Sequence, residues 1–189
     1  MGRSHMNRFL KSIWCVVIPI SADWIDDELK NPSIKAFLDT IAYAEHTFGR
    51  SEYAAKFPRK RFESFKDHPR TVECIDFKGQ KLCSSAAGRY QFLTRTWDAL
   101  VPRINATDFG PHAQDRGALV LLSDRKALDD IRSNRLEKAI ERVRNLWASL
   151  PGSPYGQPTR TMHELWVFYI ERLLHHQSFG NRLSNWLRG

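Results

Sequence analysis

An apolar stripe that ends in a carboxylic acid runs through residues 34–45. Asn31-Pro32 opens it: Asn is a good N-cap, and Pro is preorganised for the first helical position. Ile34, Phe37, Leu38 and Ile41 recur at i, i+3, i+4 and i+7, the spacing of one buried helix face. The pattern predicts a helix from Asn31 towards Gly49. Extended along the same face, the next position is Glu45, four residues beyond Ile41. Burial raises a carboxyl pKa, and the partial negative charge of a helix C-terminus acts in the same direction. A protonated acid near neutral pH is what general-acid catalysis needs. The alternative is a carboxylate that reaches past the helix end to water or pairs with Arg50.

The rest of the chain reads as one mostly helical domain. Its 189 residues fit a single domain with a sizeable core, and 42% apolar with 26% charged residues is a globular composition. No apolar run approaches the roughly 20 residues of a membrane-spanning helix. Residues Arg50 to Arg70 break the periodicity and read as an exposed basic loop. Val72 to Ser85 reads as a β-hairpin turning at Lys78-Gly79, which would set Cys74 opposite Cys83 and Asp76 opposite Lys81. In that register the cysteine pair is close enough for a disulfide; two free thiols are the other reading. Further helices are expected over about Tyr90–Leu100, Ala113–Leu122, Asn134–Leu150 and Met162–His175. The class is therefore α+β, predominantly α-helical, with a small hairpin.

The N-terminus divides differently. Met1 to His5 read as a vector-derived leader, with the native start at Met6. Residues 6–30 form an extension before the domain at 31–189. In it, Arg8 and Lys11 precede apolar Ile13 to Ile20, and Ser21-Ala22 could close a cleavage site. The segment reads either as an export signal or as a strap packed on the domain.

Three further groups of residues carry possible chemistry. Gly88-Arg89-Tyr90-Gln91 offers a close backbone approach and hydrogen-bonding side chains for sugar hydroxyls; its plain alternative is a turn with a buried Tyr. Trp147 to Gly152, followed by Tyr155-Gly156-Gln157, suits a cleft wall or a simple helix stop. Asp67-His68-Pro69 presents a His that is either an acid/base or structural. The three cysteines show no CxxC pair, and no HExxH, Walker loop or GxSxG elbow is present. No metal or cofactor is expected.

Taken together and in order, the segments Lys35–Asp39 through Ala42–Thr47, Asp67–Arg70, Ala87–Gln91 and Trp147–Gln157 resemble the phage lambda-type lysozymes. The resemblance implies a lysozyme-like fold with a small β-hairpin beside the substrate cleft. It also implies an endolysin that cuts the β-1,4 bond between N-acetylmuramic acid and N-acetylglucosamine as a lytic transglycosylase, leaving a 1,6-anhydro ring; a hydrolytic muramidase of the same fold is the alternative. The family's single catalytic Glu maps onto Glu45. Gly88, Arg89, Tyr90, Gln91, Tyr155, Gln157, Asp67, His68 and Trp147 become the expected glycan-binding residues. The implied partner is a peptidoglycan strand, met by a monomer in the periplasm or cell wall after synthesis in the host cytoplasm. Two departures stand out: His46 replaces the usual Gly after the Glu, and the hairpin before Asp-His-Pro is replaced by a shorter basic stretch.

The net charge of +8 supports a different class, a nucleic-acid binder using Arg59-Lys60-Arg61. That reading leaves the acid on the buried stripe unexplained. A membrane-disrupting last helix, with Leu165, Trp166, Tyr169 and Leu173 near Arg172 and Arg182, is the third class. No nucleic-acid partner and no stable membrane insertion are expected.

Overall fold

The computed structural model describes residues 22–49 and 52–188. The leader at 1–5, the apolar stretch Ile13 to Ile20, the junction at Ser21 and the residue Arg50 lie outside the described residues. Helix α1 (Ala22–Glu28) packs on the helix Pro111–Asp124 and buries Ile25, so the end of the extension is part of the domain. Asp26 pairs with Arg116, and Glu28 with Arg132, which fixes α1 by its polar side as well.

Helix α2 (Pro32–Ala44) begins as its sequence dictates, with the Asn31 side chain accepting the Ser33 N–H at 2.9 Å. It is almost wholly buried along Ile34, Phe37, Leu38 and Ile41. The helix stops at Ala44, short of Gly49, because His46 turns into the left-handed region at φ +59° and the N–H groups of Thr47 and Phe48 both fold back to the Ala42 carbonyl. Its main partner is the last helix, α7 (Met162–Arg188), which begins where expected and runs past His175. Leu165, Tyr169 and Leu173 of α7 face the core, and Tyr43 stacks on Phe168 with ring centres 4.2 Å apart.

The stretch 52–61, expected to be irregular, contains a short 3-10 turn (Glu52–Ala54) and a small hairpin of β1 (Ala55–Lys56) and β2 (Lys60–Arg61). It is held from outside: Phe57 N–H donates to the Ala86 carbonyl, and Gly88 N–H to the Ala55 carbonyl. The second hairpin, β3 (Glu73–Phe77) with β4 (Gln80–Ser84), has the expected register. Cys74 faces Cys83 and is disulfide-bonded to it, and Asp76 faces Lys81.

Helix α3 (Thr94–Ile104) starts four residues later than its apolar pattern suggests. Ala87 and Phe92 exchange backbone hydrogen bonds around a tight turn, in which Gly88 and Gln91 both have positive φ. Helix α4 (Pro111–Asp124) is close to expectation, and α5 (Leu128–Arg132) is a short addition. Helix α6 (Leu136–Val143) ends early, since Leu146 N–H bonds back to Val143 in a tighter turn. Leu146, Trp147 and Leu150 still pack on the core, from turns rather than from a continuous helix.

Candidate active site

Glu45 is the C-cap of α2, partly exposed as a residue. Its carboxyl oxygen Oε1 accepts a 2.5 Å hydrogen bond from the Ser149 hydroxyl. Burial drives its pKa up to about 7, and the Ser149 side chain and backbone offset only part of this. A carboxyl with that pKa holds its proton to near-neutral pH yet can give it up. The side chain is therefore not free in water and has no ion pair among the described residues, and general-acid chemistry is open to it.

The loop that supplies Ser149 is tied to the turn at 87–92. Trp147 is buried, and its indole N–H donates to the Tyr90 carbonyl at 2.9 Å. The Thr47 hydroxyl donates to the Arg89 carbonyl at 2.6 Å, just after Glu45. The end of α2, the turn at 87–92 and the loop that begins at Trp147 are thus joined around one acid. Sequence reasoning missed Ser149, which lies inside the Trp147–Gly152 motif but carries no local sign of its partner.

Several expected glycan contacts lie inside the protein. Tyr90 is fully buried, and its hydroxyl donates to Asp115 at 2.6 Å. The Arg89 guanidinium is held by Asp39, Tyr53 and Glu52. The His68 Nε2–H donates to the Phe92 carbonyl, and its Nδ1 accepts the Arg70 N–H, so both ring nitrogens are used internally. Gly88, at φ +79°, packs so closely that a Cβ there would collide with Gln114 and Phe109. These groups and Trp147 build the wall, their side chains buried and engaged with internal partners. Asp67 is exposed but bonded to Arg70. Gln91 is partly exposed, its amide N–H₂ donating to the Gly88 carbonyl. Tyr155 and Gln157 stand at the surface, the Tyr155 hydroxyl anchored on the Asn145 carbonyl.

Behind this wall lies an ionic cluster with no sequence signature. Asp39 accepts from Arg89, Arg172 and His176. Burial acts to raise its pKa, but these donors outweigh it and hold the carboxylate down at about 2. Burial pushes the Asp115 pKa up against hydrogen bonds from Tyr90 and Tyr53. A recess of about 360 Å³, lined by residues including Lys35, Asp39, Arg89, Asp115 and His176, opens over the cluster; Glu45 does not line it.

The comparisons with known proteins agree with this geometry. A family model described as Endolysin matches residues 35–173. The chain belongs to the endolysin family. It is 39% identical to the endolysin of Escherichia phage P2 over 147 residues, 70% of this chain and 88% of that one. It is 41% identical to the endolysin of Escherichia phage lambda over 133 residues, 67% and 82% of the two chains. The structure of bacteriophage lambda lysozyme complexed with a chitohexasaccharide matches this endolysin with a TM-score of 0.70 at 38% identity, covering 75% of this chain and 94% of the other. A second structure of lysozyme from bacteriophage lambda gives 0.62 at 34% identity, covering 78% and 94%. The endolysin therefore has the lambda lysozyme fold and is a lysozyme-type, peptidoglycan-degrading enzyme.

Proposed function

We propose that this endolysin cuts the β-1,4 bond between N-acetylmuramic acid and N-acetylglucosamine as a lytic transglycosylase, with Glu45 as its acid and then its base. Glu45 protonates the glycosidic oxygen, and the bond to the anomeric carbon breaks. The muramic C6 hydroxyl attacks that carbon, and the Glu45 carboxylate takes the hydroxyl proton. The product carries a 1,6-anhydro ring, and the acid is restored without water. Gln91, Tyr155 and Gln157 hold the glycan along the wall. The residues from 31 onwards, with the packed end of the extension, serve as one catalytic domain. It acts as a monomer on glycan strands of the cell wall after synthesis in the host cytoplasm.

One observation supports the choice of transglycosylation: Glu52, Asp67 and Asp39 are each taken up by partners within the protein. A hydrolytic glycosidase normally uses two carboxyl groups across the bond. Glu52 is held by Arg89 and the Gly49 N–H, Asp67 by Arg70, and Asp39 by three donors. A transglycosylase needs no second carboxylate, because the sugar supplies the nucleophile. Mass spectrometry of digested peptidoglycan tests the proposal. Anhydromuramic ends, one water lighter than hydrolytic ends, are expected; reducing muramic ends as the main product would make the enzyme a hydrolase.

A further inference from the structure

Two arginines flank the residue that follows Glu45. His46 is exposed, and its Nδ1 accepts a 3.0 Å hydrogen bond from Arg160 Nη2. The Arg160 guanidinium stacks on Tyr43 at 4.4 Å, and its backbone N–H donates to the carbonyl of Ser149, the residue whose hydroxyl holds Glu45. The Glu164 carboxylate, itself capped by Thr161, stands 3.6 Å from Nη1, while Nε is buried with no hydrogen-bond partner among the described residues. The second arginine is Arg59. It sits exposed between β1 and β2 at φ +63° and has no ion pair among the described residues, whereas Lys56 and Lys60 of the same hairpin are both taken by Glu73. The hairpin is bonded to residues 86–88, and the adjoining Arg89 carbonyl to Thr47, so the hairpin is tied through 86–89 to the residue that follows His46. After burial, the charges of Arg160 and Arg59 are what lower the His46 pKa, so the ring stays a neutral acceptor for Arg160.

Glu164 answers part of the Arg160 charge, but Arg59 has no carboxylate partner among the described residues, so an anion on the substrate completes the pair. The sugar hydroxyls and acetamides of a glycan are neutral. The charge nearest the bond to be cut is a carboxylate on the muramic side arm. Guanidinium groups match carboxylates through paired, charge-assisted hydrogen bonds. We infer that Arg59 and Arg160 form a cationic clamp beside Glu45 that takes a carboxylate of the muramic side arm, and so make this endolysin selective for glycan bearing that charge. The inference rests on the glycan cleavage proposed above. The carboxylate has two sources, the lactyl group of unsubstituted muramic acid or the peptide attached to it.

Ligand binding to the Glu45→Gln protein separates the possibilities, since the ligands stay intact. Three probes are titrated: a muramic disaccharide with its peptide, the same disaccharide with a free lactyl group, and chitohexaose, which has no carboxylate. Carboxylate-bearing probes should bind more tightly than chitohexaose. The advantage should fall about tenfold, the scale of one charge-assisted hydrogen bond, in Arg59→Asn or Arg160→Gln. Asn keeps the left-handed backbone at residue 59, and Arg160→Lys should keep part of the advantage. Raised salt should shrink it as well. Lys126→Asn, the same charge loss at a positive-φ turn between α4 and α5, should leave it intact. Whichever charged probe loses more identifies the source. An equal loss for charged and neutral probes, or an advantage indifferent to both arginines, overturns the clamp. Failure of all three probes to bind the folded protein overturns the glycan reading and the clamp with it.

Discussion

The Ser149 hydroxyl donates to Glu45 Oε1 across 104 residues of chain. A hydrogen bond to the charged form of an acid lowers its pKa, whereas burial raises it, and at Glu45 burial prevails. The rate constant of the cleavage step should therefore fall as pH rises through about 7, where the acid loses its proton. Ser149→Ala removes one of the opposing donors. The descending limb of the pH–rate profile should then move to higher pH, by about one unit for a bond of this kind. A limb that moves down, or not at all, would show that Ser149 does not tune the acid.

Glu45→Gln should reduce lysis of purified cell walls by at least ~10²-fold while leaving the circular dichroism spectrum unchanged. The same variant has a stability signature. In the wild type the folded pKa of about 7 lies above the ordinary carboxyl value. Ionisation of Glu45 therefore opposes folding progressively from about pH 4.5 to 7, by up to ~3 kcal/mol. The amide does not ionise. Thermal melts should find the variant no more stable than wild type at pH 4 and more stable at pH 8.

Gly88→Ala should destabilise the domain by more than ~3 kcal/mol in chemical denaturation. Two costs add: a non-glycine residue at φ +79°, and a Cβ driven against Gln114 and Phe109. Gln114 cannot easily give way, since its Oε1 accepts the Arg89 N–H while its Nε2 serves the Tyr53 and Phe109 carbonyls.

Asp39→Asn should cost about 3 kcal/mol, because the buried Arg89 charge would lose the nearer of its two carboxylates and keep only Glu52. The folded pKa of Asp39 is depressed, so its contribution is present above about pH 4 and is lost as pH falls through 2. The gap in stability between wild type and variant should narrow over that window. Equilibrium unfolding at a series of pH values measures it.

Cys74 and Cys83 should both resist thiol reagents in the unfolded protein until reductant is added. Replacing the pair with serine should lower stability by about 2–3 kcal/mol, as expected for a crosslink closing so short a loop. Labelling followed by peptide mapping locates the two residues, and denaturant melts give the energy.

Local chemistry explains which parts were legible in the sequence. Asn31-Pro32 and Lys78-Gly79 act through their own backbones, so the start of α2 and the register of β3 with β4 follow from neighbours alone. The stripe through Ile41 likewise placed Glu45 at a buried helix end. The start of α3 and the end of α6 depend on distant partners. The turn at Gly88–Gln91 is shaped by Gln114, and the loop after Val143 is pinned where Trp147 meets the Tyr90 carbonyl. Arg89 and Tyr90 look like ligand-binding side chains in sequence because both are polar. Their partners, Asp39 and Asp115, are 50 and 25 residues away, and no spacing reveals such pairs. Helices α1 and α5, of seven and five residues, are too short to show periodicity.

Helix α2, which carries the acid, is seated mainly on α7, the last helix of the chain. Tyr43 meets Phe168, and Asp39 meets Arg172 and His176 across 133 and 137 residues of chain, so the helix that carries the acid is seated by partners far away in sequence. A fragment that contains Glu45, both hairpins and Ser149 but not α7 lacks the helix against which α2 closes. The geometry around the acid is thus a property of the folded whole rather than of the segments that carry Glu45 and its partner.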